Sequence, residues 1–301
     1  MAISTVRAKI NGTWHTLTAN GDGTYSATIT APGATSYNQP NKYYDVTIEA
    51  INDAGTTTTA SAANLDGLKL FVEERVKPVI TILSPTSGAY VANSKQPVVF
   101  TVIDETGGSG VDADSIVVKL DGTAVAASTL AKTAITGGYS VTYTPVSALS
   151  DGAHTVSIDA SDNDGNAADA KSTTFTVDTV PPALNISAPA DGLITNNAAL
   201  TVRGTTNDST SSPVTISITL NGTDQGTVSV GADCGFSKAL TLAVGDNTIV
   251  ITATDAAGKS TSVTRTVKLD TTRPVVKAAN IVPNPVDAGA TMVITVTITE
   301  E

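Results

Sequence analysis

Cysteine is nearly missing from this chain. One residue, Cys234, in 301 excludes an internal disulfide framework. Cys234 precedes Gly235 and Phe236 at an expected strand start and reads as an inert thiol. Aromatic residues supply only 4% of the sequence and charged residues 15%. Histidine occurs twice, as His15 and His154, in different parts of the chain. With no Ser/His/Asp set, no paired histidine ligands and no phosphate-cradling glycine loop, the chain does not read as an enzyme. Positive charge is also scarce: 17 Lys and Arg against 28 Asp and Glu give a net charge of −11. That balance argues against binding nucleic acid through its phosphates. No apolar run approaches the roughly 18 residues of a membrane helix, so membrane insertion is not expected. Met1 to Arg7 lack the apolar core of a secretory signal; either export takes another route or a signal has been removed.

What is present is Thr, Ala, Ser, Val and Gly, a mix that suits β-branched strands joined by turns and leaves little for long helices. A stretch from Asn247 to Gly258 sets the pattern: alternating residues, then a turn ending in glycine, then a second strand closing on Pro274. Ile48 to Gly55 and Ile158 to Gly165 repeat it, with Pro78 and Pro181-Pro182 as closing prolines. Gly55, Gly165 and Gly258 lie 110 and 93 residues apart, about one small domain each time. Two further markers keep phase. Asn11-Gly12, Asp121-Gly122 and Asn221-Gly222 suit type I′ hairpins, whose two central residues need positive φ. Tyr25, Tyr139 and Phe236 each open the next strand. Three markers in one order, three times, define an internal repeat.

The second repeat predicts strands over Val79–Leu83, Val98–Ile103, Ile116–Leu120, Tyr139–Tyr143, Val156–Ala160 and Thr174–Val177. The third predicts Leu184–Ser187, Leu200–Val202, Val214–Leu220, Phe236–Leu242, Thr248–Ala253 and Val263–Leu269. Six or seven short strands per ~100 residues is the pattern of an immunoglobulin-like β-sandwich. Asp151 to Asp162 and Asp255 to Lys259 resemble the tandem Ig-like repeats of bacterial surface proteins and phage structural proteins. The likeness covers nearly the whole chain. It implies an all-β fold and a stalk, adhesin or virion decoration on an extracellular surface or a virion. Cell-surface glycans and other virion or fibre proteins are the partners it suggests. Proline ends each repeat and stiffens the joint, so a rod of serial domains is expected. The expected divisions are an incomplete domain over 1–76, Ig-like domains over 77–179 and 180–271, and a two-strand half domain over 272–301.

The two ends carry the sharpest expectation. The first repeat has too few residues ahead of Asn11 for its first two strands. Past Pro274, Val275–Ile281 and Met292–Ile298 match those two strands. Ile294, Val296 and Ile298, with Met292, are expected to fill a core opposite Val6, Ala8, Ile10, Tyr25, Ile29 and Ile48. An unpaired strand edge invites another chain. The C-terminal pair of one molecule is therefore expected to complete the N-terminal half domain of the next copy, head to tail, by strand donation. Three alternatives stay open: a chain cut from a longer array, an end that frays, and closure within one chain or onto a different partner.

Chemistry is thin. Asp162, Asp164 and Asn166 have the oxygen content of a calcium loop, yet Ala160 stands where an EF-hand needs an acid. The same residues suit a hairpin turn for backbone reasons. Asp104 and Glu105, near Asp112 and Asp114, form a similar acidic group. Calcium is the one cofactor left open. Trp14, Tyr37, Tyr43 and Tyr44 gather in the first repeat, either to bind a glycan or protein or to pack a core or interface.

Overall fold

The computed structural model describes residues 2–300. Among them no α-helix occurs, and four short 3-10 turns are the only helical residues. The chain divides into two compact units, Met1–Val177 and Asp178–Glu301.

In the first unit, residues 79–177 form a two-layer sandwich. One sheet runs in the order Leu130–Ile135, Gly138–Tyr143, Val98–Ile103, Val79–Ser84. The other runs Thr123–Ala124, Val117–Leu120, Gly152–Asp159, Lys171–Val177, Ala89–Val91, the last pairing parallel to its neighbour. Alternation does the sorting, because successive side chains on a strand point to opposite faces. Val98, Phe100 and Val102 are buried while Val99 and Thr101 between them are half-buried. Val118, Val156, Ile158 and Phe175 meet them from the other sheet. Each such side chain contributes about 1.5–3 kcal/mol when fully removed from water.

The second unit repeats this plan. Ala183–Ala188, Ala199–Asn207 and Gly235–Thr241 form one sheet. The second has the order Leu193–Thr195, Ser260–Leu269, Gly245–Thr254, Thr215–Leu220, Thr223–Asp224. Val202, Ile218, Ile249, Ile251 and Val267 fill the space between them. One substitution of bulk is instructive. Gly204 stands 22 residues after Pro182, as Phe100 stands 22 after Pro78. A Cβ on Gly204 would lie 2.4 Å from the Asn185 carbonyl oxygen and 2.6 Å from the Phe236 ring. The aromatic filling that site comes from the neighbouring strand instead.

The strands expected in these two repeats are present within a few residues. The Asn-Gly and Asp-Gly turns adopt the required positive φ, at Asn11 (45°), Asp121 (49°) and Asn221 (50°) and at the glycines that follow. Ala89–Val91, Leu193–Thr195, Leu130–Ile135, Thr123–Ala124 and Thr223–Asp224 are strands beyond those expected. The first two are three-residue edge strands, too short to show a period, and only pairing defines them.

The first repeat differs. Its main sheet has the order Tyr25–Ser26, Thr13–Ala19, Ile3–Ile10, Thr47–Asn52, Thr57–Ala60. That is the layer equivalent to the five-stranded sheet of the second repeat, without its parallel edge strand. Among the described residues, the first repeat has beside this sheet only the two-residue pairing of Tyr44–Asp45 with Lys69–Leu70. Among the described residues, its buried apolar side chains are Val6, Ala8, Tyr44 and Ala62.

Candidate assembly strands and acidic clusters

Pro274–Val282 and Val293–Glu300 pair as an antiparallel two-stranded sheet. Their register matches the opening strands of the complete repeats: Val275 faces Thr299 as Val79 faces Ile103 and Ala183 faces Asn207. Ile281, Ala279 and Val276 pair with Ile294, Val296 and Ile298, so one face of the hairpin is continuously apolar. The residues 20, 22 and 24 positions after each closing proline can be compared directly. Val98, Phe100 and Val102 are fully buried, as are Val202, Gly204 and Thr206. Ile294, Val296 and Ile298 are 57%, 45% and 59% exposed, and Met292 is 50% exposed.

Val6 and Ala8 are buried on the first sheet, Ile29 is half-buried outside the strands, and on the sheet Ile10, Tyr25 and Ile48 are half-buried. The last of these is telling. Val46, Ile48 and Ala50 are half-buried, whereas Val156, Ile158 and Ala160, 110 residues on, are buried. The C-terminal members of the expected interface are exposed, and those in the first repeat are buried or half-buried.

The three residues weighed as a calcium loop do not converge as ligands. The Asp162 N–H donates to the Asn166 carbonyl at 3.2 Å, and the Asn166 N–H donates to Asp162 Oδ1 at 2.8 Å. Asn52 and Asp255 make the same turn with Thr56 and Lys259. Asn166 points its amide N–H at Asp162 Oδ2, 2.8 Å away. Asp164 Oδ2 accepts from the Thr35 hydroxyl (2.6 Å) and the Glu74 N–H (3.0 Å), which ties the first repeat to the second. Asp112 caps its own 3-10 turn through the Asp114 N–H.

Two other sets of acids do converge, one from three separate stretches and one joining Glu74 to the neighbouring pair Asp104 and Glu105. Glu74, Asp104 and Glu105 offer oxygens within 4.8 Å of one another, and so do Asp178, Asp208 and Asp255. Only Asp104 and Glu105 were legible as a candidate. Burial, then the neighbouring Asp162 carboxylate, pushes the Glu74 carboxyl up. Burial and the adjacent Asp104 do the same to Glu105.

The first-repeat aromatics are already engaged. The Arg7 guanidinium lies 4.4 Å from the Trp14 ring centre and the Lys42 ammonium 4.0 Å from that of Tyr37. Tyr43 meets Phe71 edge-on at 6.2 Å, and the buried Tyr44 donates its hydroxyl to the Ala34 carbonyl at 3.1 Å. His154 is buried, with Nδ1 at 2.7 Å from Asp121 and Nε2 at 2.9 Å from the Ser150 carbonyl. A groove of about 600 Å³ runs past Cys234, Asp208 and Pro213, and no histidine lines it.

Comparison with known proteins accords with this architecture. Residues 90–179 match the model of a bacterial Ig-like domain, and residues 182–271 match that of domain B of glucodextranase. No curated protein matches the sequence. Among solved structures, the chain is similar to the fibronectin(III)-like modules of Clostridium thermocellum CbhA, at 16% identity and a TM-score of 0.42, covering 64% of this chain and 94% of that one. It is also similar to a tetra-tandem repeat from the extending region of a large adhesion protein, at 20% identity and a TM-score of 0.33, covering 98% and 79%. The chain carries tandem immunoglobulin-like repeats.

Proposed function

We propose that this is a non-enzymatic structural protein that assembles head to tail, the C-terminal strand pair of one copy completing the first repeat of the next. The observation that carries the reading is the exposed apolar face of Ile294, Val296 and Ile298, whose counterparts in both complete repeats are fully buried. The first repeat supplies the complementary deficiency: among the described residues its five-stranded sheet is accompanied only by a two-residue pairing. Hydrophobic area at both ends drives association, and a head-to-tail contact that does not close gives a filament. The terminal strand pair, residues 272–301, and the incomplete unit, residues 1–76, are on this reading two parts of one domain. The match to bacterial Ig-like domains supports a place on an extracellular surface or a virion. Non-catalytic use accords with repeats of this kind serving as spacers and supports.

Size, by light scattering and negative-stain microscopy, tests the proposal on the full chain and on a version ending at Pro274. Filaments that vanish in the shortened protein support donation. Monomers in both refute it and leave a spacer whose open faces are covered by flanking segments of a longer chain. Glycan binding that persists without assembly favours an adhesin module instead.

A further inference from the structure

In the second repeat, Val98–Ile103 lies between Val79–Ser84 and Gly138–Tyr143. Val98, Phe100 and Val102 stand 20, 22 and 24 residues after Pro78 and pair with Tyr143, Val141 and Tyr139. The first repeat keeps the receiving hairpin in the same phase. Thr18 and Ala19 pair with Ser26 and Tyr25, as Thr133 and Ala134 pair with Ser140 and Tyr139. Tyr25–Ser26 is therefore the opening of the strand equivalent to Gly138–Tyr143, whose continuation is Ala27, Thr28 and Ile29. It stands at the edge of its sheet, and among the described residues no strand pairs with residues 27–30. An open edge of this kind presents N–H and C=O groups to an incoming strand.

Alternation leaves two registers for that strand. A slip of one residue turns every side chain to the other face, whereas a slip of two keeps the faces and changes only the partners. The two complete repeats use registers that differ by two. In the second, the aromatic that opens the strand, Tyr139, faces Val102, 24 residues after the proline. In the third, its counterpart Phe236 faces Gly204, 22 residues after the proline. Glycine is what the third arrangement requires, since a Cβ there would lie 2.6 Å from the Phe236 ring and 2.4 Å from the Asn185 carbonyl oxygen. The C-terminal pair carries Val296 at that count, where the second repeat has Phe100. The side chain at position 22 and the shared hairpin phase both select the register of the second repeat.

We propose, resting on the head-to-tail reading above, that the receiving surface is the open edge of residues 24–29 and that Val293–Glu300 of a second copy adds to it antiparallel, with Ile298 opposite Tyr25, Val296 opposite Ala27 and Ile294 opposite Ile29. Tyr25, Ala27 and Ile29 alternate along the chain and so share one face. Tyr25 and Ile29 are half-buried and Ala27 is exposed, so the donated side chains arrive on a face with apolar surface still to cover. Pro274–Val282, paired to the donated strand in the same hairpin, then takes the outer edge, as Val79–Ser84 does in the second repeat. The completed sheet has the strand order of that repeat's four-stranded layer. On its other face Ser26 meets Thr297 and Thr28 meets Thr295, polar against polar.

Cysteine pairs in the full chain, in a Cys234→Ser background, read this register. Ser26, Thr28, Thr295 and Thr297 are all exposed, so the substitutions remove no packing. Directly opposed residues in an antiparallel pair lie within disulfide reach, whereas diagonal ones, roughly 7–8 Å apart, do not. Under mild oxidation, Ser26→Cys with Thr297→Cys should give a ladder of covalent multimers on a non-reducing gel, and Ser26→Cys with Thr295→Cys only a trace. Thr28→Cys with Thr295→Cys is a second reporter and should give the ladder again. A ladder from Ser26→Cys with Thr295→Cys and none from the other two pairs overturns the register and leaves head-to-tail assembly standing. Filaments of the parent with no ladder from any pair overturn this edge as the receiving surface. A parent that stays monomeric, or a crosslink that closes within one chain, refutes the head-to-tail reading itself.

Discussion

Replacing Ile294, Val296 and Ile298 together by alanine bears most directly on how copies associate. These side chains are 45–59% exposed, so donation would remove about half of each from water. Full burial of a Val or Ile side chain stabilises by about 1.5–3 kcal/mol, which leaves roughly 1 kcal/mol per residue and about 3 kcal/mol for the three. At 1.4 kcal/mol per tenfold, association should weaken somewhat over 100-fold. Sedimentation velocity across a concentration series reads this as a matching rise in the concentration at which half the protein is assembled. Melting of the third repeat serves as the internal control and should not move, because none of the three belongs to its core. The reasoning is refuted if the parent chain stays monomeric up to high micromolar concentration, or if the triple variant assembles as well as the parent.

Two further changes probe the complete repeats. Burial opposes the charged form of His154, but the Ser150 carbonyl and the Asp121 carboxylate outweigh it and raise the ring above its ordinary value of 6.5. Folding then binds that proton more tightly, so the contribution is fully present below about 6.5 and is lost as pH rises through the folded value. Denaturant melts of the second repeat should show stability falling across that window, and Asp121→Asn should flatten the profile; an unchanged profile would count against the pairing. Gly204→Ala places a methyl group within 2.6 Å of the Phe236 ring and 2.4 Å of the Asn185 carbonyl oxygen. Overpacking of this kind costs about 1–3 kcal/mol. Calorimetry should register a melting temperature lower by roughly 5–15 °C for the second unit, and a neutral result would mean the strands part easily.

How much was legible follows from how local each signal is. Alternation exposed Val98, Phe100 and Val102 as one buried face, since a strand's side-chain period is two whatever surrounds it. Asn11-Gly12 and its two counterparts were legible because positive φ is a property of the residue pair. The repeat length and the surplus strand pair after Pro274 followed from spacing alone. The acidic groups were mostly hidden. Asp162, Asp164 and Asn166 attracted attention as near neighbours in sequence, yet their bonds serve a turn and the join to Thr35 and Glu74.

Sequence by itself determined the strands, the turns, the repeat and the apolar faces of the terminal strands, all of which depend on residues a few positions apart. Only the tertiary structure decided which carboxylates meet. Asp178, Asp208 and Asp255 come from three separate stretches of chain that the sandwich brings together. It also decided which apolar faces stay open, because burial depends on what the opposite layer supplies, and for Ile294, Val296 and Ile298 that layer is absent from their own hairpin.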